Sequence, residues 1–185
     1  VISKFNNELS SLKSSTFIGG NSLDNSPEVH VDSLNNIIIS GFTTSSDYPT
    51  TTDAFDQTYN GNGGDDDGIF SILDTSLSTL LYSTYVGGSN GDFIHSSNLN
   101  DNDLYLTGTT YSLNFPQMTE GYQSQFNGDR DAFVLKFDLD SLPEPELIPE
   151  PDFKVDFETS GMSVLKIEQD NDFSSLLFEV DVTSS

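Results

Sequence analysis

The chain has 185 residues, with 30 acidic and 6 basic side chains and a formal net charge of −24. A field of that sign repels nucleic acids and anionic membranes, so we expect neither as a partner. The absence of cysteine excludes disulfides, thiol chemistry and cysteine zinc sites. No apolar run approaches the ~20 residues of a membrane-spanning helix, so we also expect no membrane span.

A nine-residue motif occurs twice. Leu12–Gly20 reads LKSSTFIGG, and Leu80–Gly88 reads LLYSTYVGG 68 residues later. The similarity continues at offsets of 64 to 68 residues, where Ile38–Thr44 matches Tyr105–Tyr111 and Asp67–Phe70 matches Asp131–Val134. A third partial copy is at the start, where Ile2–Asn6 matches Val134–Asp138. The chain is therefore expected to consist of copies of one unit.

Each copy is predicted to be β, because short apolar and β-branched runs alternate with clusters of Gly, Asn, Asp and Ser. In chain order the predicted strands are 1–6, 12–18, 27–32, 36–42, 68–74, 80–86, 92–98, 103–109 and 131–138. No segment has a convincing helical period, so almost no helix is expected. A unit of about 67 residues with four strands and one long loop is typical of a β-propeller blade, with a β-solenoid as the alternative.

Four elements in the second copy carry a resemblance to a known family. They are YSTYVGG (82–88), DLYLTGTT (103–110), NFP (114–116) and GDRDAFVLKFD (128–138). In this order they resemble the SBBP-type β-propeller repeat, over residues 1 to about 142. The resemblance implies a propeller scaffold, usually in secreted or surface proteins, and no reaction. The first copy departs from the pattern at Asp67–Ile72, which reads DGIFSI.

The number of predicted strands does not complete a propeller. Residues 27–86 contain one four-stranded blade, residues 1–18 the last two strands of an earlier blade, and residues 92–138 a blade without its outer strand. A propeller needs about four to eight blades to close. We therefore expect either a fragment of a longer propeller or a chain that completes its sheets with other copies of itself.

The composition changes after residue 142. Residues 143–151 are rich in proline and glutamate and are predicted to be a stiff, extended linker. Three strands are predicted within 152–185, around Phe153–Phe157, Val164–Ile167 and Leu176–Val182, with turns at Ser160–Gly161 and Asp170–Asp172. The segment Thr159–Thr183 resembles the start of a β-sandwich in surface proteins of ammonia-oxidising archaea. A partial sandwich would leave a strand edge open to a partner chain.

Two acidic clusters are the candidate metal site. Asp65, Asp66 and Asp67 form the first, and Asp129 and Asp131 lie at the equivalent place in the next repeat. Both follow Gly- and Asn-rich loops, whose carbonyl oxygens could join the carboxylates in binding calcium. The competing interpretation is turn capping, in which each aspartate accepts hydrogen bonds from neighbouring backbone amides.

Other chemistry has little support in the sequence. His30 and His95 do not occupy matched repeat positions and have no third ligand in a fitting pattern, so a histidine metal site is not predicted. There is no Gly-x-Ser-x-Gly nucleophile motif and no phosphate-binding glycine loop. The matched aromatic pairs could stack on sugars, but their recurrence favours packing of the long loop; they are Tyr48 with Phe115 and Phe55 with Tyr122.

The sequence therefore predicts an all-β chain of about two propeller blades in an incomplete ring, followed by a partial β-sandwich. The predicted function is that of a non-enzymatic structural protein, extracellular or on the cell envelope. Its expected partners are other copies of itself or surface proteins, and calcium is the one cofactor considered. The alternative is an adhesive or glycan-binding propeller using loops 45–66 and 111–130; a polysaccharide lyase or hydrolase is the weaker third possibility.

Overall fold

The computed structural model describes residues 1–116, 121–123, 125–141, 154–156, 164–168 and 177–179. These residues form twelve β-strands and one 3-10 turn at Leu139–Ser141, and they include no α-helix. The strands are β1 Ile2–Phe5, β2 Leu12–Thr16, β3 Asp24–Val31, β4 Ile37–Thr43, β5 Asp67–Leu73, β6 Leu80–Val86, β7 Asp92–Asn100, β8 Asp103–Thr110, β9 Asp131–Asp138, β10 Lys154–Asp156, β11 Val164–Glu168 and β12 Leu177–Glu179. The all-β prediction is confirmed. No helix among the described residues has the length and apolar character needed to cross a membrane.

Strands that follow one another in the chain pair side by side in four antiparallel sheets. β1 and β2 form the N-terminal hairpin, β3 to β6 the four-stranded sheet, β7 to β9 the three-stranded sheet, and β10 to β12 the C-terminal sheet. None of these sheets closes on itself within the described residues. The chain divides into two compact units, Val1–Pro143 and Glu144–Ser185.

The N-terminal hairpin has the same strand pairing as β5 and β6. Ser3 lies opposite Ser15, and Ser71 lies opposite Ser83. In both hairpins a register shift follows, after Lys4 in the first and after Ile72 in the second. These two residues are 68 positions apart, so the shift occurs at the same place in the repeat. The repeat seen in the sequence is therefore a repeat of three-dimensional structure, down to the irregularity in the pairing.

The first two strands of the larger sheets repeat in the same way. Asp24 lies opposite Thr43, and Asp92 lies opposite Thr110. A register shift follows in both β3 and β7. Beside each shift the partner strand carries a glycine, Gly41 or Gly108, where a Cβ atom would collide with a backbone carbonyl oxygen. Because only glycine fits there, these positions specify where the bulge forms.

The turns of the two equivalent hairpins also match. Leu9 and Leu77 have φ angles of 54° and 63°, in the left-handed region that a leucine rarely adopts. Asn6 accepts hydrogen bonds from two backbone N–H groups of its turn, and Asp74 accepts from three. These bonds offset the backbone strain, which is of order 1–2 kcal/mol for a non-glycine residue.

The main hydrophobic core lies between the four-stranded and three-stranded sheets. Its fully buried members are Ile38, Phe70, Val86, Ile94, Leu104 and Leu106. Aromatic rings from the two sheets meet in it, with ring centroids of Phe70 and Phe137 4.7 Å apart. Each large side chain buried in this way contributes about 1.5–3 kcal/mol. The two sheets are thus stacked through apolar side chains, with a second cluster on the other side of β5 that contains Tyr48, Ile69 and Tyr85.

All nine strands predicted between residues 1 and 138 are present, and their ends differ by at most three residues. The largest difference is at β3, which begins at Asp24 rather than at residue 27 because the pairing resumes beyond the bulge. The three C-terminal strands are also present. The predicted linker 143–151 and the turns at Ser160–Gly161 and Asp170–Asp172 lie outside the described residues. The propeller and the sandwich remain predictions.

Candidate functional site: the groove beside β9

The loop between β4 and β5 covers the outer edge of β6. Backbone N–H groups join the two, since Thr51 donates to the Ser83 carbonyl at 3.1 Å and Tyr85 donates to the Asp56 carbonyl at 3.0 Å. β6 is therefore held between β5 on one side and the loop on the other. This packing holds the middle of loop 45–66, around Thr51 and Asp56, against the edge of β6.

Tyr85 anchors β6 in this arrangement. Its ring is 1% exposed and packs edge-on against Tyr48, with ring centroids 6.2 Å apart. Its hydroxyl donates to the Ser45 carbonyl at 2.8 Å and accepts from the Tyr48 N–H at 3.0 Å. Burial raises the pKa of Tyr85 to about 12, so the phenol stays protonated.

The three-stranded sheet has the same parts except for the fourth strand. β9 occupies the place of β5, and Phe115 occupies the place of Tyr48. On its outer side β9 has no neighbouring strand among the described residues. A groove of about 640 Å³ runs there instead, between β9 and the preceding loop. Its apolar and aromatic lining includes Phe115, Pro116, Tyr122, Phe126, Phe133 and Leu135.

The face of the three-stranded sheet that points away from the core is more polar than its counterpart. Where the four-stranded sheet has Ile72, which is 7% exposed, the three-stranded sheet has Lys136. The Lys136 ammonium forms a salt bridge of 2.7 Å with Asp103 and lies 5.9 Å from the centre of the Tyr105 ring. Lys136 and the exposed Val134 lie on this face and also line the groove, so the candidate interaction site is centred on the edge of β9 and on the groove.

The loop aromatics divide into two groups. Tyr48 and Phe115 are 4% and 8% exposed, which confirms that they pack the loop and do not form a sugar-stacking surface. Tyr122 is fully exposed, so for it the expectation of core packing is wrong, whereas Phe55 is 56% exposed and packs only one side of its ring, edge-on against Phe137 with centroids 5.9 Å apart. The exposed Tyr122 ring lines the groove beside β9.

The predicted calcium residues lie in two different environments. Asp67 is fully buried, Asp65 and Asp66 are partly buried, and Asp129 is exposed beside the partly buried Asp131. In the described part of the chain, no three side chains of types that bind metals gather around one point. Calcium binding at these aspartates stays a prediction.

Turn capping accounts for one oxygen of each equivalent aspartate. The Oδ2 atom of Asp67 accepts from the Asn60 N–H at 2.6 Å, and that of Asp131 accepts from the Asn127 N–H at 2.7 Å. Turn capping was the competing interpretation of these residues, and the structure contains the hydrogen bonds that it predicts.

Asp67 has a close partner that the sequence analysis did not identify, Asp92. Both are fully buried, and Gly87 lies against both: a Cβ atom on it would be 2.5 Å from Asp67 Oδ1 and 3.0 Å from Asp92 Oδ2. Within the part of the chain that the structure describes, the Oδ1 atom of each has no hydrogen-bond partner, although the Thr110 hydroxyl is near enough to stabilise the ionised form of Asp92. Neither is in a salt bridge among the described residues.

Burial dominates the titration of this pair. It raises the pKa of Asp67 to about 7, with a further contribution from the negative charge of Asp92, and opposed by hydrogen bonds from the backbone of Asn60 and Gly61. Burial also raises the pKa of Asp92. A carboxyl titrating near neutrality is often catalytic, but these two are closed off from any substrate.

The sequence does contain a signal for Asp92. In both repeats an aspartate stands four residues after the second glycine of the Gly-Gly pair, and its carboxylate caps that glycine. Asp24 accepts from the Gly20 N–H at 2.9 Å, and Asp92 accepts from the Gly88 N–H at 2.6 Å. The spacing is visible in the printed sequence, whereas the approach of Asp92 to Asp67 depends on how the two sheets stack.

No model of a protein family matches the chain, and no curated protein matches it.

Proposed function

We propose that the protein is a non-enzymatic structural protein, extracellular or on the cell envelope, whose three-stranded sheet takes up a fourth strand from a partner chain. The observation that supports this most is the edge of β9, which has no neighbouring strand among the described residues and borders a mainly apolar groove at the place where the four-stranded sheet holds β6. Strand addition to an exposed sheet edge is a common mode of protein recognition.

We propose further that the two larger sheets are blades of an SBBP-type propeller. The support is their common pairing, their matched bulges and the apolar core through which they stack. The extracellular or cell-surface location rests on the same family resemblance. The charge of −24 fits it, because mutual repulsion keeps crowded molecules soluble.

The sequence after β9 contains prolines at positions where β6 has residues that can donate a backbone hydrogen bond. At the offset of 64 residues that relates Asp67 to Asp131, the residues matching Leu80–Val86 are Glu144–Glu150, which read EPELIPE. Prolines thus stand at the positions of Leu81 and Tyr85. Proline has no N–H group to donate to a neighbouring strand, so this segment is a poor substitute for β6.

A peptide with the β6 sequence tests the proposal directly. We expect a labelled Leu80–Gly88 peptide, carrying added lysines for solubility, to bind the protein saturably and to slow hydrogen exchange of the outward-facing amides of β9. The matched control has proline at the positions of Leu81 and Tyr85, as the chain has after β9, and should not bind. Failure of the Leu80–Gly88 peptide to bind the folded protein at millimolar concentration contradicts the proposal.

A further inference from the structure

We propose that the strand filling the groove beside β9 is β2 of a second copy of this chain. The inference rests on the proposed function, that β9 takes up a fourth strand, and adds the identity of that strand. Of the described strands, β2 is the one whose sequence motif matches β6, since Leu12–Gly20 and Leu80–Gly88 share the pattern that ends in Ser-Thr-aromatic-aliphatic-Gly-Gly.

The pairing of β2 with β1 shows that β2 can act as a fourth strand. It pairs with β1 in the same register and with the same bulge as β6 pairs with β5. β1 in turn resembles β9, since Ile2–Asn6 and Val134–Asp138 are matched segments. When β2 moves from β1 to β9 of another molecule, the backbone hydrogen bonds that it loses are therefore made again.

The present environment of β2 leaves much of its apolar surface in water. Phe17, just after the strand, is 87% exposed, and Leu12 is 56% exposed. The N-terminal hairpin has only two strands, an arrangement that is marginally stable by itself. Opening it costs little compared with opening one of the larger sheets.

The groove fits the side chains of this segment. Phe17 is the repeat equivalent of Tyr85, and Phe115 is the equivalent of Tyr48. In the four-stranded sheet two tyrosines pack together and share hydrogen bonds through their polar ends. In the exchanged arrangement two phenylalanines meet, and neither brings a hydroxyl that would need a partner.

Charge also favours β2 as the occupant. The segment 12–20 contains Lys13 and no acidic residue, within a chain of net charge −24. Most other segments of the molecule would bring carboxylates toward another acidic chain, and like-charge contacts of that kind are unfavourable. A segment of net charge +1 avoids that repulsion.

The repeat predicts the register of the exchanged strand. Ser83 lies opposite Ser71 in the four-stranded sheet, and the equivalents of these residues are Ser15 in β2 and Leu135 in β9. Ser15 of one molecule should therefore lie opposite Leu135 of the next. Facing residues in antiparallel strands have Cα atoms about 4.5–5.5 Å apart, within the range that a disulfide spans.

The test is a disulfide between two single-cysteine variants, because the natural chain has no cysteine to interfere. A Ser15→Cys chain is mixed with a Leu135→Cys chain under mild oxidation, at concentrations from micromolar to millimolar. We expect a covalent heterodimer to form in the mixture at least tenfold faster than a homodimer forms in either variant alone. A mixture of Ser15→Cys with Thr107→Cys, on the exposed part of β8, is the control for random collision.

A second variant keeps the test meaningful if assembly is weak. Ser3→Cys combined with Ser15→Cys should form an internal disulfide that holds β2 on β1. Light scattering should then show only monomers at concentrations where the same protein, once reduced, associates. Association that persists with the internal disulfide intact overturns the proposal, as does a heterodimer no faster than the control.

The two proposals can fail separately. If the β6 peptide binds beside β9 but the Ser15–Leu135 disulfide does not form, the groove takes up a strand from another source and the second-copy inference is wrong. If the peptide does not bind and hydrogen exchange of β9 is already slow in a monomer, a segment of the same chain covers the edge. That outcome contradicts both proposals.

Discussion

The four-stranded and three-stranded sheets have the same strand pairing but very different burial. Every residue of β5 is buried, whereas β9 alternates between exposed residues and partly buried ones, with Phe133 alone fully buried. Phe70 in β5 has no exposed surface, and its repeat equivalent Val134 in β9 is 71% exposed. The pairing between strands is thus a property of the repeat itself. Burial depends on what lies beside and above each strand.

The comparison also indicates how the sequence adapts to its surroundings. β5 has β6 on one edge and the three-stranded sheet on one face, and it carries Ile72 where β9 carries Lys136. The outward face of the three-stranded sheet thus carries a charged residue at a position that is apolar in the four-stranded sheet, and the groove beside β9 is lined mainly by apolar side chains.

The largest expected effect comes from removing the anchor of β6. We expect Tyr85→Ala to lower the free energy of unfolding by about 3–5 kcal/mol, because it leaves a cavity and removes the hydrogen bonds with Tyr48 and Ser45. Phe17→Ala, at the equivalent position, should change it by less than about 0.5 kcal/mol, since that ring is 87% exposed. Urea unfolding of both variants at low protein concentration measures the difference.

Equal losses for Tyr85→Ala and Phe17→Ala would contradict the comparison, because they would mean that Phe17 is buried in the monomer. Tyr85→Phe separates the two contributions of the side chain. It keeps the ring and removes only the hydroxyl, so it should cost about 1–3 kcal/mol.

The second effect is on the pH dependence of stability. The pKa of Asp67 is raised to about 7 in the folded protein, so the folded state binds one proton more than the unfolded state between about pH 4 and 7. Stability should therefore fall as pH rises through this window, by at most about 1.4 kcal/mol per pH unit from this group, and level off above it. Asp67→Asn should remove that part of the slope.

Asp131→Asn is the matched control for the pH experiment. It removes the same charge from the equivalent position of the three-stranded sheet, where the carboxylate is partly exposed. Urea unfolding from pH 4 to 9, with a chelator present, should give a shallower decline for Asp67→Asn than for Asp131→Asn. Parallel curves would show that the decline comes from the general acidity of the chain.

A smaller effect is expected from calcium, if the loop before β5 binds it. Calcium at ten times its Kd would stabilise the folded protein by about 1.4 kcal/mol, and sodium at the same ionic strength would not. Thermal unfolding of the natural chain measures this, and Asp65→Asn with Asp67→Asn should abolish the difference. The double change Asp129→Asn with Asp131→Asn tests the equivalent loop. Identical behaviour of calcium and sodium with the natural chain means that the acidic loops are solvated turns.

The smallest effect concerns the hairpin turns. Leu9 has a φ angle of 54° and is 78% exposed, whereas Leu77, in the same conformation, is 5% exposed. Leu9→Gly should stabilise the protein by about 0.5–1 kcal/mol, because glycine adopts this conformation without strain. Leu9→Ala removes the same side chain but retains the strain, so a gain of the same size with alanine would assign the effect to the side chain. At Leu77 the loss of buried surface should outweigh the relief of strain.

The strands could be predicted from the sequence because their signals are local. The motif before Gly87 and Gly88 repeats an earlier one, and the bounding clusters of Asn, Asp and Gly mark the turns. The groove could be anticipated only as a missing strand, since its shape depends on how the loop before β9 folds against that strand. The approach of Asp92 to Asp67 was missed for a different reason. It depends on the stacking of two sheets, and no local pattern reports on that.

Gly41 and Gly108 have a consequence for recognising this architecture elsewhere. Any side chain at either position would collide with the carbonyl oxygen of the bulged strand opposite, Asn25 in one case and Phe93 in the other. Aromatic or acidic positions can drift between copies, as Tyr48 and Phe115 have, but this position admits one amino acid. A search for further units in related proteins can therefore start from a glycine in the second strand and the aspartate that begins the third strand. These two residues are 26 positions apart in the first copy and 23 in the second. A copy that lacked this glycine would have to lack the bulge as well.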